Sequence, residues 1–377
     1  MSGPRVLMAG GGTLGHLYPC LAVAEELQAT EPGSEITFVG ARGRVDEHVL
    51  RERELPHYLI DAQPLPYGLS LKAISGLWAL RRAVQQSRRI IKHLEPDVIF
   101  STGGYVGASV GIAGRMMKVP LVLHAPDVNP DRGNRLLARW AKRVTVVSPH
   151  LESVFGEKAM HTGNPIRREV AEATREEGID ELGLDSELPT VVVVGGSQGA
   201  RRLNMAVLDA LPALTDDIGA QVIHLSGPLD YPRLRSEADD RHGSPERYHL
   251  IEHLPNLGLA LAAADIAVTR AGSSSLAELC LHGVPMIIVP YPHAGGHQML
   301  NARPLADDGA AVIVEDERFT GACLAELVAE ILGDQQRRIL MEQAALAAAA
   351  PGAAKDVADV LLKAASRAAL ADRNGEA

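Results

Sequence analysis

Two glycine-rich stretches, Gly10-Gly11-Gly12-Thr13-Leu14-Gly15-His16 and Gly195-Gly196-Ser197-Gln198-Gly199-Ala200, each follow an apolar run and each open a helical pattern. A strand that passes at once into a helix needs the backbone freedom of glycine. The N–H groups left open at the helix start, with the helix dipole behind them, attract phosphate. One such turn in each half of the chain implies two nucleotide-type domains, and 377 residues are too many for one ordinary core.

The intervening pattern agrees with an α/β class built on doubly wound parallel sheets. In the first half strands are expected at 5–9, 35–39, 96–101, 119–123 and 143–147, with a helix over about 17–29. Gly163-Asn164-Pro165 breaks the series and a charged stretch runs on to Pro189, so the boundary is placed there, giving domains 1–163 and 164–344. The second half restarts at 190–194, a continuous β-branched run expected of a strand buried on both faces. Further strands are expected at 221–225, 248–251, 266–269, 286–289 and 311–314. The Ala-rich tail reads as helix interrupted at Pro351-Gly352, and its last part, about 345–377, is expected to join the first domain.

Composition narrows the partners. A net charge of −10 and 3% aromatic residues argue against nucleic acid. Cys20, Cys280 and Cys323 are widely spaced and read as reduced core residues, neither a disulfide frame nor a zinc site. With no signal-peptide pattern at the start and no apolar stretch of the roughly 18 residues that span a bilayer, any catalysis is expected on the cytosolic side. One segment departs from the acidic balance: residues 62–94 hold no Asp or Glu, but carry Lys72, Arg81, Arg82, Arg88, Arg89 and Lys92 among Leu77, Trp78 and Leu80. Two readings are open, a segment seated on an anionic membrane and a core helix with a solvated basic face.

Gly10, Gly12 and Gly15 satisfy G-x-G-x-x-G, which alone is a weak dinucleotide signal. A dehydrogenase also needs an acidic residue at the end of the second strand, and here that strand ends Val39-Gly40-Ala41-Arg42; only an NADP reading through Arg42 or Arg44 survives. The second turn, continued as Gly195-Gly196-Ser197-Gln198-Gly199-Ala200-Arg201-Arg202-Leu203-Asn204, is far more specific. It resembles the lipid-intermediate N-acetylglucosaminyltransferases of bacterial peptidoglycan synthesis, the MurG family within glycosyltransferase family 28. The resemblance runs through Gly11-Gly12-Thr13, Gly15-His16, Gly103-Gly104-Tyr105-Val106, Gly163-Asn164-Pro165-Ile166-Arg167, Arg270, Gly272, Glu278, Gly283-Val284-Pro285, His297-Gln298 and Asn301-Ala302, all in one order.

The resemblance implies a GT-B fold, two Rossmann-like domains facing across a cleft. It implies an inverting hexosyltransferase that moves N-acetylglucosamine from UDP-N-acetylglucosamine to the muramoyl-pentapeptide of undecaprenyl-diphosphate lipid I, making lipid II without metal or cofactor. The alternatives are a related transferase with a different lipid acceptor, or a catalytically silent UDP-sugar-binding protein. The enzyme would be peripheral on the cytoplasmic face of the cell membrane, with Lys72, Leu77, Trp78, Leu80, Arg81, Arg82, Arg88 and Arg89 toward anionic inner-leaflet lipids.

For the donor it implies Ser197, Gln198 and Gly199 at the diphosphate with Arg167 nearby, Arg270 and the helix start Ser273-Ser274-Ser275, Glu278 on the ribose, Gln298 and His297 on the sugar, and the Leu254 backbone at the uracil; Thr13, Leu14 and Gly15 reach the donor from the first domain. For the acceptor it implies Gly12, Gly15, His16, Gly103, Gly104, Tyr105, His124, Asn129 and Asn134. His16 is the first candidate base, since an imidazole suits proton transfer near neutrality; its alternatives are binding the acceptor diphosphate or capping the helix. The chain departs from the family at Leu14, where a glycine is usual, and at Ala125-Pro126-Asp127 after His124. Asp127 is accordingly a second candidate base.

Overall fold

The computed structural model describes residues 3–64, 71–195, 200–243, 246–292 and 297–373, and of residues 71–75 and 367–373 the backbone alone. The chain divides into two units, Met1–Arg167 with Pro351–Ala377, and Arg168–Ala350.

The first unit runs β1 (Arg5–Ala9), α1 (Leu14–Thr30), β2 (Glu35–Ala41), α2 (Val45–Glu52), β3 (His57–Ile60), α3 (Leu71–Leu94), β4 (Val98–Ser101), α4 (Gly104–Met116), β5 (Leu121–Ala125), α5 (Arg132–Leu137), β6 (Arg143–Val146), α6 (His150–Phe155) and β7 (Ala159–His161). Its seven strands are ordered β3-β2-β1-β4-β5-β6-β7, and the paired strands are parallel. Parallel strands need helical crossovers, which cover both faces, so the central strands carry apolar side chains on both sides: every residue of β4 and β5 is buried.

The second unit begins with α7 (Arg168–Ala171) and α8 (Arg175–Leu182). It continues as β8 (Thr190–Val194), α9 (Arg201–Pro212), β9 (Gln221–Leu225), α10 (Tyr231–His242), β10 (Tyr248–Ile251), α11 (Leu257–Ala263), β11 (Ile266–Thr269), α12 (Ser273–Leu281), β12 (Met286–Ile288), α13 (His297–Asp307), β13 (Ala311–Ile313), α14 (Gly321–Gly333) and α15 (Gln335–Ala347). The six-stranded sheet is ordered β10-β9-β8-β11-β12-β13, again parallel. The last helix, α16 (Ala353–Arg373), packs on α1 in the first unit, where Val357, Leu361 and Ala364 join Leu17, Leu21 and Phe100 in one core.

In each sheet the strand order reverses beside the first strand of the unit, between β1 and β4 and between β8 and β11. The carboxyl ends of strands at such a reversal leave a crevice where open α/β sheets bind ligands. The first glycine turn lies there, after β1, and Gly195 follows β8. The structure adds two strands to the sequence reading, β3 and β7, the edges of the first sheet. Both are short, and an edge strand is half-covered, so neither shows a continuous apolar run. Helix α1 starts at Leu14, ahead of the expected 17, because Thr13 ends the turn in an extended conformation with φ −146°. No helix among the described residues is long and apolar enough to cross a membrane.

Candidate active site

At the first reversal two glycine turns meet. Gly10 to Thr13 follows β1, and Gly103-Gly104 follows β4 at the start of α4. Gly12 has φ +96°, and a Cβ there would run into the Tyr105 hydroxyl, so no other residue fits without displacing Tyr105. A Cβ on Gly104 would come within 3.3 Å of His16 Nε2, which sets the imidazole edge against the second turn. His16 Nδ1 lies 3.0 Å from the Thr102 carbonyl oxygen, and Thr102 Oγ1 donates back to the His16 carbonyl at 2.8 Å. A carbonyl only accepts, so Nδ1 carries a proton and Nε2 is the ring nitrogen left for other partners. The ring is half-buried and its orientation is fixed by the Thr102 bond. Thr13 makes no side-chain cap bond, and the first N–H groups of a helix lack intrahelical partners, so the α1 start offers donors to a ligand.

The other acceptor candidates separate. Asn134, 2% exposed in α5, leaves Oδ1 without a partner among the described residues, and that oxygen fills the space beside Gly103. Asn129 accepts from Arg135 at 3.0 Å on the loop before α5, and Asp127 is half-buried on the same loop. His124 is corrected: it is fully buried, with Nε2 3.2 Å from Asn164 Oδ1 and Nδ1 3.0 Å from Thr145 Oγ1. Burial pushes it down to about 4, against the Asn164 hydrogen bond, so it is neutral and faces no solvent. Leu14 is accommodated without strain. Its side chain lies in the core, and its φ is not positive, since among the described residues only Glu54, Glu95 and Lys118 of the non-glycines have positive φ. Only its backbone is open to a ligand.

At the second reversal, Ser197, Gln198 and Gly199 lie outside the described residues. After β11, Ser273, Ser274 and Ser275 form the first turn of α12 and are partly exposed at its N-terminus. Glu278 sits in the second turn of α12 and is 4% exposed, which removes the reading of a surface carboxylate serving the helix dipole. Gln298 Oε1 accepts from the backbone N–H groups of Ala271 at 3.1 Å and Tyr291 at 2.8 Å, pinning the segments after β11 and β12 together. Its neighbour His297 opens α13, and Leu254 is half-buried with its side chain on the core.

Two arginines make contacts within their own units. Arg270 pairs with Asp316 and donates to the Val289 carbonyl at 2.9 Å, so it ties loops of its own unit. Arg167, 2% exposed, stacks its guanidinium 3.9 Å from the Tyr18 ring centroid within the first unit.

Sequence reasoning missed the buried network beside Gly195. Asn204, in the second half-turn of α9, donates to the Ser226 carbonyl at 3.2 Å and Asp230 Oδ2 at 2.9 Å; its Oδ1 is 3.0 Å from His224 Nε2, whose Nδ1 is 2.8 Å from the Tyr248 hydroxyl. Burial pushes His224 down to about 3. The signal available was a lone histidine inside the apolar run of β9.

The basic segment forms α3. Ala83, Ser87, Ile90 and Ile91 are buried, at helical spacing, while Leu77, Trp78, Arg81, Arg88 and Arg89 are exposed, Trp78 by 67%. Leu80 is intermediate, and Lys72 lies where only the backbone is described. Arg82 differs from its neighbours: it pairs with Asp61 at 2.9 Å.

Residues 6–146 match the glycosyltransferase family 28 N-terminal domain, and residues 190–357 match its C-terminal domain. A Halothermothrix orenii protein called UDP-N-acetylglucosamine–N-acetylmuramyl-(pentapeptide) pyrophosphoryl-undecaprenol N-acetylglucosamine transferase is 34% identical, over 90% of this chain and 93% of its own. Its namesake from Clavibacter michiganensis is 38% identical, over 94% and 95%. The crystal structure of Acinetobacter baumannii MurG superposes with a TM-score of 0.70 at 26% identity, over 95% of this chain and 99% of that one. The two parallel-sheet domains are those of the GT-B class. By sequence over nearly its whole length and by fold, the chain belongs to glycosyltransferase family 28, with the UDP-N-acetylglucosamine–N-acetylmuramyl-(pentapeptide) pyrophosphoryl-undecaprenol N-acetylglucosamine transferases.

Proposed function

We propose that this enzyme transfers N-acetylglucosamine from UDP-N-acetylglucosamine to a muramoyl-pentapeptide carried on undecaprenyl diphosphate, with inversion at the anomeric carbon. The observation that carries the chemistry is the oriented imidazole of His16. Its Nδ1–H is fixed on Thr102, so Nε2 is free to take the proton of the attacking acceptor hydroxyl. As the carbon–oxygen bond to UDP breaks, negative charge grows on the diphosphate. The start of α12, with its three serines, supplies N–H donors and a dipole for that charge, and buried Glu278 is placed to accept from ribose hydroxyls. The acceptor diphosphate is assigned to the first glycine turn, with Tyr105 lining it at Gly12 and Asn134 beside the neighbouring turn at Gly103.

The outer face of α3 supports a peripheral seat on anionic lipid, because Leu77 and Trp78 stand exposed beside Arg81 and Arg88. The assigned partners are therefore the nucleotide sugar, the lipid acceptor and an anionic bilayer surface.

Purified protein should convert UDP-N-acetylglucosamine and a short-chain lipid I analogue to disaccharide product and UDP. His16→Ala should lower kcat by about 100-fold or more while UDP binding is kept. Tight UDP-sugar binding with no turnover of this acceptor would sink the assignment.

A further inference from the structure

Arg44 stands at the end of the second strand, and the function proposed above leaves it without a role. The fold places it beside the first glycine turn. β2 pairs with β1 as far as Val39, then leads through Arg42-Gly43-Arg44 into α2, whose first turn folds back onto Gly11. Asp46 is fully buried there, accepts the Ala41 N–H through Oδ2, and occupies the space a side chain on Gly11 would need. The Tyr105 hydroxyl closes Gly12 in the same way. Burial raises the Tyr105 phenol above its ordinary value; the Arg44 charge acts on it in the lowering sense and the Asp46 charge in the raising sense, so both lie near that hydroxyl.

This arrangement has a charge conflict built into it. An anion cradled by the turn meets the Asp46 carboxylate behind Gly11, and Asp46 Oδ1 has no partner among the described residues. A buried like charge weakens an anion site unless a cation offsets it. Arg42 is held at 3.1 Å by Asp61 and donates to the Leu59 carbonyl, and Arg51 is held by Glu47 at 2.7 Å. Glu47 also accepts from the Gly43 N–H at 2.6 Å. Arg44 is exposed, its carbonyl accepts from the Glu47 N–H at 3.1 Å, and its guanidinium makes no hydrogen bond or ion pair among the described residues.

We propose that Arg44 binds the acceptor's diphosphate at the first glycine turn, beside Tyr105, and offsets the buried charge of Asp46. The inference rests on the acceptor reading given above. A guanidinium suits this task because its fork can bond two phosphate oxygens while staying charged. The phosphates of bilayer headgroups share that chemistry, so the test has to separate the two sources.

Full-length wild type, Arg44→Gln and Arg44→Lys are assayed in detergent with a short-chain lipid-diphosphate acceptor. Arg44→Gln should raise the acceptor KM about tenfold, with kcat at saturating acceptor and the UDP-N-acetylglucosamine KM within about twofold of wild type. Arg44→Lys should raise the acceptor KM only about threefold, since the charge survives and the fork is lost. Inhibition by inorganic pyrophosphate, competitive with acceptor, should weaken about tenfold in Arg44→Gln. Wild-type turnover with an unmoved Arg44→Gln acceptor KM overturns this proposal alone. Lost binding to phosphatidylglycerol vesicles with an unmoved KM assigns the arginine to headgroups and overturns it too. Absence of wild-type turnover overturns the acceptor reading, and this proposal with it.

Discussion

His16 and His124 belong to the same unit, yet only His16 keeps a ring nitrogen for chemistry, and burial decides the difference. His124 is pushed to about 4 and His224 to about 3, both by loss of solvent, while an unfolded chain protonates histidine near pH 6.5. A folded value below the unfolded one means that the unfolded state takes up the proton first as pH falls. Stability is thus intact above about pH 6.5 and declines through the window down to each folded value. Each buried ring should cost about 2 kcal/mol between neutral pH and about pH 5. Urea titrations across that range should show the decline, and His224→Gln should be less stable at neutral pH but lose its share of the slope. An unchanged slope in that variant would refute the account. The family resemblance points to His124 as an acceptor contact. What it cannot reveal is that Thr145 and Asn164, separated from it by 21 and 40 residues, take both nitrogens. Leu14 is the reverse case: a departure from the family glycine that the core absorbs without strain.

At the scale of elements, the strands bordering the sites were legible because burial on both faces leaves continuous apolar runs, and β1, β8, β9, β10 and β11 fall where periodicity puts them. The edges β3 and β7 were not, being short and half-covered. Helix α3 was legible as a basic, apolar-faced segment, but which arginines are available was not. Arg82 is neutralised by Asp61, whose carboxyl is held below its usual range by the Gln86 hydrogen bond first and by Arg42 and Arg82 as well. Arg81 lies over the Trp78 ring at 5.8 Å and faces outward. Each unpaired basic residue near an anionic surface contributes about 1 kcal/mol, roughly a fivefold change in binding. Arg81→Gln and Arg88→Gln should therefore each lower affinity for phosphatidylglycerol vesicles by about fivefold, whereas Arg82→Gln should do so by less than twofold. Trp78→Ser, which removes apolar area, should cost at least tenfold. Sedimentation with vesicles decides it; three equivalent arginines would mean that α3 does not lie on the lipid.

At the scale of the molecule, the first unit is assembled from two distant stretches of chain, and the second from one. The tail helix α16 completes the first unit's core with Val357, Val360 and Leu361, all buried with Leu17, Leu21 and Leu27 of α1. Burying a large aliphatic side chain contributes about 1.5–3 kcal/mol, so these three alone contribute about 5–9 kcal/mol. A whole domain is stable by only about 5–15 kcal/mol, so the first unit cannot lose α16 and remain securely folded. The second unit keeps its own cores, one centred on Val191 and Leu203 and the other on Val192 and Leu279. Truncation after Ala350 should consequently abolish turnover and make Met1–Arg167 protease-sensitive, while Arg168–Ala350 still unfolds cooperatively and still binds UDP. Leu361→Ala provides the graded version, destabilising the first unit by about 2–5 kcal/mol and leaving the second unit's transition where it was. A truncated chain with the full-length protein's protease resistance would show that α16 only decorates the first unit, and the area argument would then have failed.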